Sequence, residues 1–258
     1  MHHPPLGSTP AHPSRAWTKP GASFIEKVAI LIDGGFYLKR LSAVRPQIDR
    51  RDPEQVAGSI EALVGAHLED VNSLWRLAQP RGLLYRAFYY DATPFTGRLP
   101  LPISGDQRNY AQTDEAQFRL ALFQRLRMTP SFAVRLGEVR RTRRNWTFKA
   151  KSQSELMTGK RGLDTPTDDD FEAGFQQKGV DMRIGVDIAS ITLKRQASKI
   201  VLVTGDADFV PAAKLARREG VQIILDPMGQ SVSDDLREHI DAMRTGFAPP
   251  AEDAGPGA

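Results

Sequence analysis

The chain has 258 residues, enough for a large hydrophobic core without covalent staples. It contains no cysteine, which excludes disulfide scaffolds, thiolate zinc sites and thiol nucleophiles. Lys and Arg total 35 against 31 Asp and Glu, a net +4 that permits a nucleic-acid partner without demanding one; no apolar run approaches the ~20 residues of a membrane span.

Residues 1–24, rich in Pro, His, Gly and Ser, have no signal-peptide core and read as a disordered tail. Residues 27–32 are Lys27 followed by a continuous apolar run, closed by Asp33-Gly34-Gly35. That is the pattern of a parallel strand covered on both faces and ending in a turn. Residues 36–41 start a helix. Over 53–78 the apolar residues recur in steps of three and four, which predicts an amphipathic helix with Asp52 as its cap and Pro53 at its first position. A second strand is expected over 83–90, ending at Asp91; a helix over 113–128; and a short strand over 132–136. From 140 to about 177 the pattern is irregular, and 137–177 reads as an insertion rich in both charges. A helix opens at Lys178-Gly179-Val180-Asp181 and runs through Leu193. Residues 199–204 form the clearest strand, followed at once by Gly205-Asp206-Ala207-Asp208. Then come a helix over 209–218, a strand over 221–225 and a helix over 233–243 capped by Ser231 or Ser233. Residues 246–258, rich in Pro, Gly and Ala, read as a second disordered tail. The alternation predicts one α/β domain over 25–245: a three-layer α/β/α sandwich around a mainly parallel sheet.

In open α/β sheets, sites form beyond the carboxyl ends of the strands. Asp33, Asp91, Asp206 and Asp208 all fall there, and Asp181 opens a helix expected at the same edge. Each alone reads as a turn former or a helix cap. Together they repel unless a cation neutralises them. None of the five histidines lies in these motifs, so the donors are hard oxygens that suit Mg²⁺ or Mn²⁺. Carboxylates holding such an ion, with no protein nucleophile, suit phosphoryl chemistry by water attack.

Four motifs carry a resemblance: Val28-Ala-Ile-Leu-Ile-Asp33-Gly-Gly-Phe-Tyr-Leu-Lys-Arg40, Tyr89-Tyr90-Asp91, Lys178-Gly-Val-Asp181 with Asp187 beyond it, and Val203-Thr-Gly-Asp206-Ala-Asp208-Phe-Val-Pro211. In that order, over roughly 25–228, they resemble the NYN domain, in its bacterial LabA-like branch of the PIN-like nuclease superfamily. The resemblance implies a PIN-like sandwich and a metal-dependent ribonuclease, in outline a cytoplasmic endonuclease acting on single-stranded or structured RNA. It implies Asp33, Asp181 and Asp206 as metal ligands, with Asp208 either a ligand or a neighbour that orients one. Asp91 matches an acid closing the second strand. Asp187 also falls in the pattern as a further metal ligand, but it lies about 9 Å along and about 120° round the helix from Asp181, so the alternatives are that it orients the ligands or pairs with a base. Lys178 reads either as a phosphate contact or as a surface lysine. Where many members carry Asn soon after the first Asp-Gly, this chain has Phe36-Tyr37, as core or as a base-stacking surface.

Arg135, Arg140, Arg141, Arg143, Arg144, Lys149 and Lys151 cluster around Trp146 and Phe148. Arginines with interleaved aromatics hold single-stranded nucleic acid; the other reading is a hairpin whose Trp146 and Phe148 turn inward. Asp168-Asp169-Asp170 reads as an acidic loop or the cap of a short helix through Phe175. A haloacid-dehalogenase-like phosphatase would need an acid at position 35, where Gly35 stands. The reading outside enzymology is an RNA-binding or regulatory module on a worn nuclease fold. A homo-oligomer is left open.

Overall fold

The structure is a computed structural model, and it describes residues 26–75, 78–162 and 164–247. Elements follow in chain order: β1 (Val28–Asp33), α1 (Gly34–Val44), α2 (Pro53–Trp75), β2 (Leu84–Thr93), β3 (Arg98–Pro100), β4 (Gln107–Asn109), α3 (Asp114–Met128), β5 (Phe132–Phe148), α4 (Ala150–Met157), β6 (Phe171–Lys178), α5 (Val180–Leu193), β7 (Lys199–Val203), α6 (Val210–Arg218), β8 (Gln222–Asp226), α7 (Asp234–Glu238) and β9 (Ala242–Met243).

Seven strands form one sheet in the order β6-β5-β2-β1-β7-β8-β9, and β3 and β4 form a small antiparallel pair. Every pairing in the large sheet is parallel except β5 with β6. The two faces divide the strand residues by parity, as the pleat requires. Val28, Ile30 and Ile32 of β1 join Ala87, Tyr89, Val201 and Val203 under α1, α2 and α3. Ala29 and Leu31 join Phe88, Tyr90, Ile200 and Leu202 under α5 and α6. Burial on both faces is why the central strands are apolar without alternation. The result is a three-layer α/β/α sandwich around a mixed, mainly parallel sheet. Among the described residues, no helix is long and apolar enough to cross a membrane.

Helix α1 follows β1 with no intervening loop, and Gly34 makes that possible. A Cβ there would sit 2.6 Å from the Tyr89 hydroxyl and 2.6 Å from the Tyr90 carbonyl. The expected cap of α2 is present, with Asp52 Oδ1 accepting from the amides of Glu54 at 2.9 Å and Gln55 at 3.2 Å.

Four expectations are corrected. The strand read over 132–136 continues to Phe148, and the stretch read as an irregular insertion over 137–177 holds the outer half of β5, α4 and most of β6. The β5–β6 arm pairs in register at Glu138 with Lys178 and again at Phe148 with Phe171, with a register shift between Arg141 and Trp146. Residues 171–178 are therefore strand, not helix, and Asp168–Asp170 is a short 3₁₀ turn before them. The last helix ends at Glu238, and Ala242–Met243 instead pairs with β8. Finally, the tail expected from 246 is folded at its start: Gly246 donates its amide to Asp226 Oδ2 at 3.0 Å, and Phe247 is buried in the core. Residues 1–24 lie outside the described residues.

Candidate metal centre

Parallel β1, β2 and β7 lie side by side, so their carboxyl ends share one edge. Asp33 is the last residue of β1 and caps α1, accepting the Phe36 amide at 3.1 Å. Asp206 follows β7 and caps a 3₁₀ turn over Ala207–Phe209, accepting the Asp208 amide at 2.9 Å. Its own amide donates to Thr204 Oγ1 at 3.2 Å. Asp181 stands in the first turn of α5, which starts after Gly179 with φ of 76°. That left-handed turn favours glycine and explains the Lys-Gly-Val-Asp spacing. Asp181, Asp206 and Asp208 are exposed, and Asp33 is half-buried.

The electrostatics tie these acids together. Burial pushes the Asp33 carboxyl up to about 6, against the Phe36 hydrogen bond, and the charges of Asp181 and Asp91 push it further in the same direction. Asp181 is likewise raised, first by burial and then by the charges of Asp206 and Asp208. Asp33, Asp181, Asp206 and Asp208 thus form one mutually repelling edge. Charge is felt beyond ligation distance, however. Among the described residues, no three carboxylate or imidazole groups are gathered into a ready cage for one ion.

The remaining acids have partners elsewhere in the protein. Asp91 lies inside β2 rather than at its end, with Ala92 and Thr93 continuing the pairing to β5. Only 1 % exposed, its two oxygens accept from Nη1 of Arg119, which also holds Glu115 through Nε. Asp187 accepts from the Tyr90 hydroxyl at 2.9 Å and from Arg135 Nε at 3.1 Å, so it is paired with a base. Asp168 caps the Ile103 amide at 2.8 Å, and Asp170 is held by Arg161.

The aromatic pair after the first Asp-Gly splits. Tyr37 is core, and its hydroxyl donates to Ser59 Oγ at 2.9 Å. Phe36 is half-buried and packs where a Cβ on Gly205 would lie, 2.9 Å from its ring, so it floors the gap between β1 and the Asp206 turn. Of the basic candidates, Lys178 is exposed at the end of β6, and Arg140 is paired with Glu138 at 2.9 Å. Arg141 is exposed near Tyr110, and Trp146 is half-buried opposite Ala173. The side chains of Arg143 and Arg144 lie outside the described residues.

Sequence reasoning missed a cavity of about 870 Å³ that reaches Gly35, two residues after Asp33. Gly35, Lys39, Arg50, Arg51 and Arg119 line it, with Glu115 on Arg119. Its cations come from α1, the α1–α2 loop and α3, so no single stretch of chain announces them.

The donor type, carboxylate oxygen, suits a hard divalent cation, although among the described residues no three such groups are gathered for one ion. The donors are all carboxylates, the charges of Asp181 and Asp91 raise the proton affinity of Asp33, those of Asp206 and Asp208 raise that of Asp181, and the Tyr89 hydroxyl nearby is buried without a hydrogen-bond partner. Asp91, neutralised by Arg119, is the poorest donor of the expected set.

The family model of the NYN domain matches residues 135–244. That span holds Asp181, Asp187, Asp206 and Asp208 and leaves Asp33 and Asp91 before it. No curated protein matches the chain. A crystal structure of a protein of unknown function from Vibrio parahaemolyticus is similar over 86 % of this chain and 95 % of that one, at 16 % identity and a TM-score of 0.42. The family that this chain resembles, over residues 135–244, is the NYN domain family.

Proposed function

We propose that this chain is a metal-dependent ribonuclease, an endonuclease hydrolysing RNA phosphodiester bonds with Mg²⁺ or Mn²⁺ at the carboxylate edge. The observation that carries the reading is the Asp33 carboxyl, raised to about 6 by burial and by Asp181 and Asp91. An acid held at such a disadvantage at a sheet's carboxyl edge is a common mark of a functional site. The likeness to the NYN domain, within a superfamily of nucleases, supports the reaction class.

Asp33, Asp181 and Asp206 would hold the ion, with Asp208 as a fourth donor or as a guide for a bound water. Bound there, the metal lowers the pKa of water and offsets charge on the phosphate oxygens. The Phe36 amide orients Asp33, and the Asp208 amide orients Asp206. Lys39, Arg50 and Arg51 line the adjoining cavity and attract the RNA backbone. Lys178, Arg140, Arg141 and Trp146 extend that surface along the β5–β6 arm.

A second reading has its own support. Asp91 is already neutralised, and the acids form no ready cage, which suits a weakly catalytic RNA-binding module. One assay separates the two. Purified chain is incubated with mixed RNA and DNA oligonucleotides in Mg²⁺, Mn²⁺ or chelator. The nuclease reading expects RNA to shorten only with metal, and Asp33→Asn and Asp206→Asn to lose at least a hundredfold in rate with unchanged circular dichroism. RNA that binds tightly yet stays intact over hours with Mn²⁺ establishes the module instead.

A further inference from the structure

On the far side of Arg119 from the large cavity lies a second one of about 400 Å³. The loop after β2, the end of β4 and strand β6 build it. Three of its lining side chains are the rings of Phe95, Tyr110 and Phe175. They touch one another: Phe95 and Phe175 have centroids 5.0 Å apart, and Tyr110 meets Phe175 edge-on at 5.2 Å and 87°. All three are half-buried, and none belongs to the core on either face of the sheet. The three rings form a satellite cluster under the β2–α3 connection, outside both cores and still partly open to the cavity. The edge of the Phe95 ring occupies the space beside Gly97 where a Cβ would lie.

The polar surroundings are cationic. Arg108 lies 5.5 Å over the Tyr110 ring, and Arg141 is near enough for its charge to reach the same hydroxyl. Glu115 faces both cavities but is bound to Arg119, so it offers little net negative charge. Gln177 adds an amide that can both donate and accept. The volume falls in the range of small-ligand sites, about 300–1,000 Å³, and is far too small for a duplex.

We propose that this cavity receives one unpaired nucleobase of an RNA strand whose backbone continues past Arg119 to the carboxylate edge. The base stacks on Phe175 and Tyr110, Gln177 reads its edge, and Arg108 and Arg141 hold the flanking phosphates. The ligand class rests on the ribonuclease reading; the aromatic pocket itself does not.

The test uses full-length chain carrying Asp206→Asn, so that RNA is bound without being consumed. Oligoribonucleotides with 2-aminopurine at successive positions report stacking by fluorescence. One position should change its emission on binding. Phe175→Leu should abolish that change and weaken binding about tenfold. The exposed Gln177→Ala should leave the emission change and narrow the difference in affinity among the four homopolymers. No responsive position, or an unaltered response and affinity in Phe175→Leu, overturns the pocket. If Phe175→Leu does not fold, Gln177→Ala decides alone, and unchanged base discrimination overturns it. Metal-dependent cleavage by wild type with no responsive position removes the pocket but leaves the nuclease. A responsive position without cleavage does the reverse.

Discussion

One oxygen of Asp33 accepts the Phe36 amide at 3.1 Å, while the same carboxylate faces the charges of Asp181 and Asp91. Its folded pKa of about 6 stands above the ordinary 3.8, so the folded state binds the proton more tightly than the unfolded chain. The stabilisation this gives is complete below about pH 4 and is lost as the pH rises through about 6. Above that, the ionised and half-buried group opposes folding. Asp33→Asn keeps an acceptor for the α1 cap and removes the charge. In chelator at about pH 7 its Tm should exceed wild type by a few degrees, and the gap should close toward about pH 4. Thermal unfolding across that range checks it; a gap that ignores pH would remove the burial account. Adding Mg²⁺ should raise the Tm of wild type and not of the variant, because only a metal bound to the folded state shifts the equilibrium. The two ends of this constellation were legible at residue scale. Asp33-Gly34 and Asp206-Ala-Asp208 follow apolar runs directly, and an acid just after a buried strand has few places to go.

At the scale of elements, Arg119 joins α3 to β2. Its guanidinium lies on a carboxylate whose side chain is fully buried inside the strand. Arg119→Met leaves the buried Asp91 without its ion-pair partner, with only the Ala92 amide still donating to it, and should destabilise the protein by about 3 kcal/mol. Adding Asp91→Asn to that variant should return most of the loss, because the unpaired charge goes with it. Urea denaturation of the two single variants and the double variant measures the coupling. If Asp91 instead serves the metal, Asp91→Asn alone abolishes the Mg²⁺-induced rise in Tm. None of this could be read from the chain, since Arg119 looks like any exposed helix arginine beside Glu115, four residues before it. The length of β5 was hidden for a different reason. Its first half is covered by α3 and α5 and reads as apolar, whereas its outer half pairs only with β6. Arginine after arginine there lacks the two-residue alternation that marks a strand. A register shift between Arg141 and Trp146 blurs what pattern is left.

Across the whole molecule, the C-terminal segment is clasped to the far helix layer. Asp226, at the end of β8, meets His67 Nε2 of α2 at 2.8 Å and accepts the Gly246 amide at 3.0 Å. The Arg45 guanidinium lies 4.7 Å over the Phe247 ring. Asp226→Ala leaves His67 buried without its partner and frees the Gly246 amide. It should lower stability by about 3 kcal/mol and open cleavage near residue 247 to protease, read by mass spectrometry of the shortened chain. An intact terminus in the variant would show that Phe247 packing suffices.

Local chemistry along the chain was enough to place the central strands, most of the helices and Asp33 and Asp206 after their strands, whereas Asp91 lies inside β2. Burial on both faces and helix capping act over a few residues and so leave a short-range trace. Which of those acids stay free and which are neutralised is another matter. Asp91 meets Arg119 and Asp187 meets Arg135 across 28 and 52 residues of sequence. The aromatic pocket and the C-terminal clasp likewise join distant segments. Charge and stacking depend on separation in space, and that separation exists only once the sheet has brought the segments together.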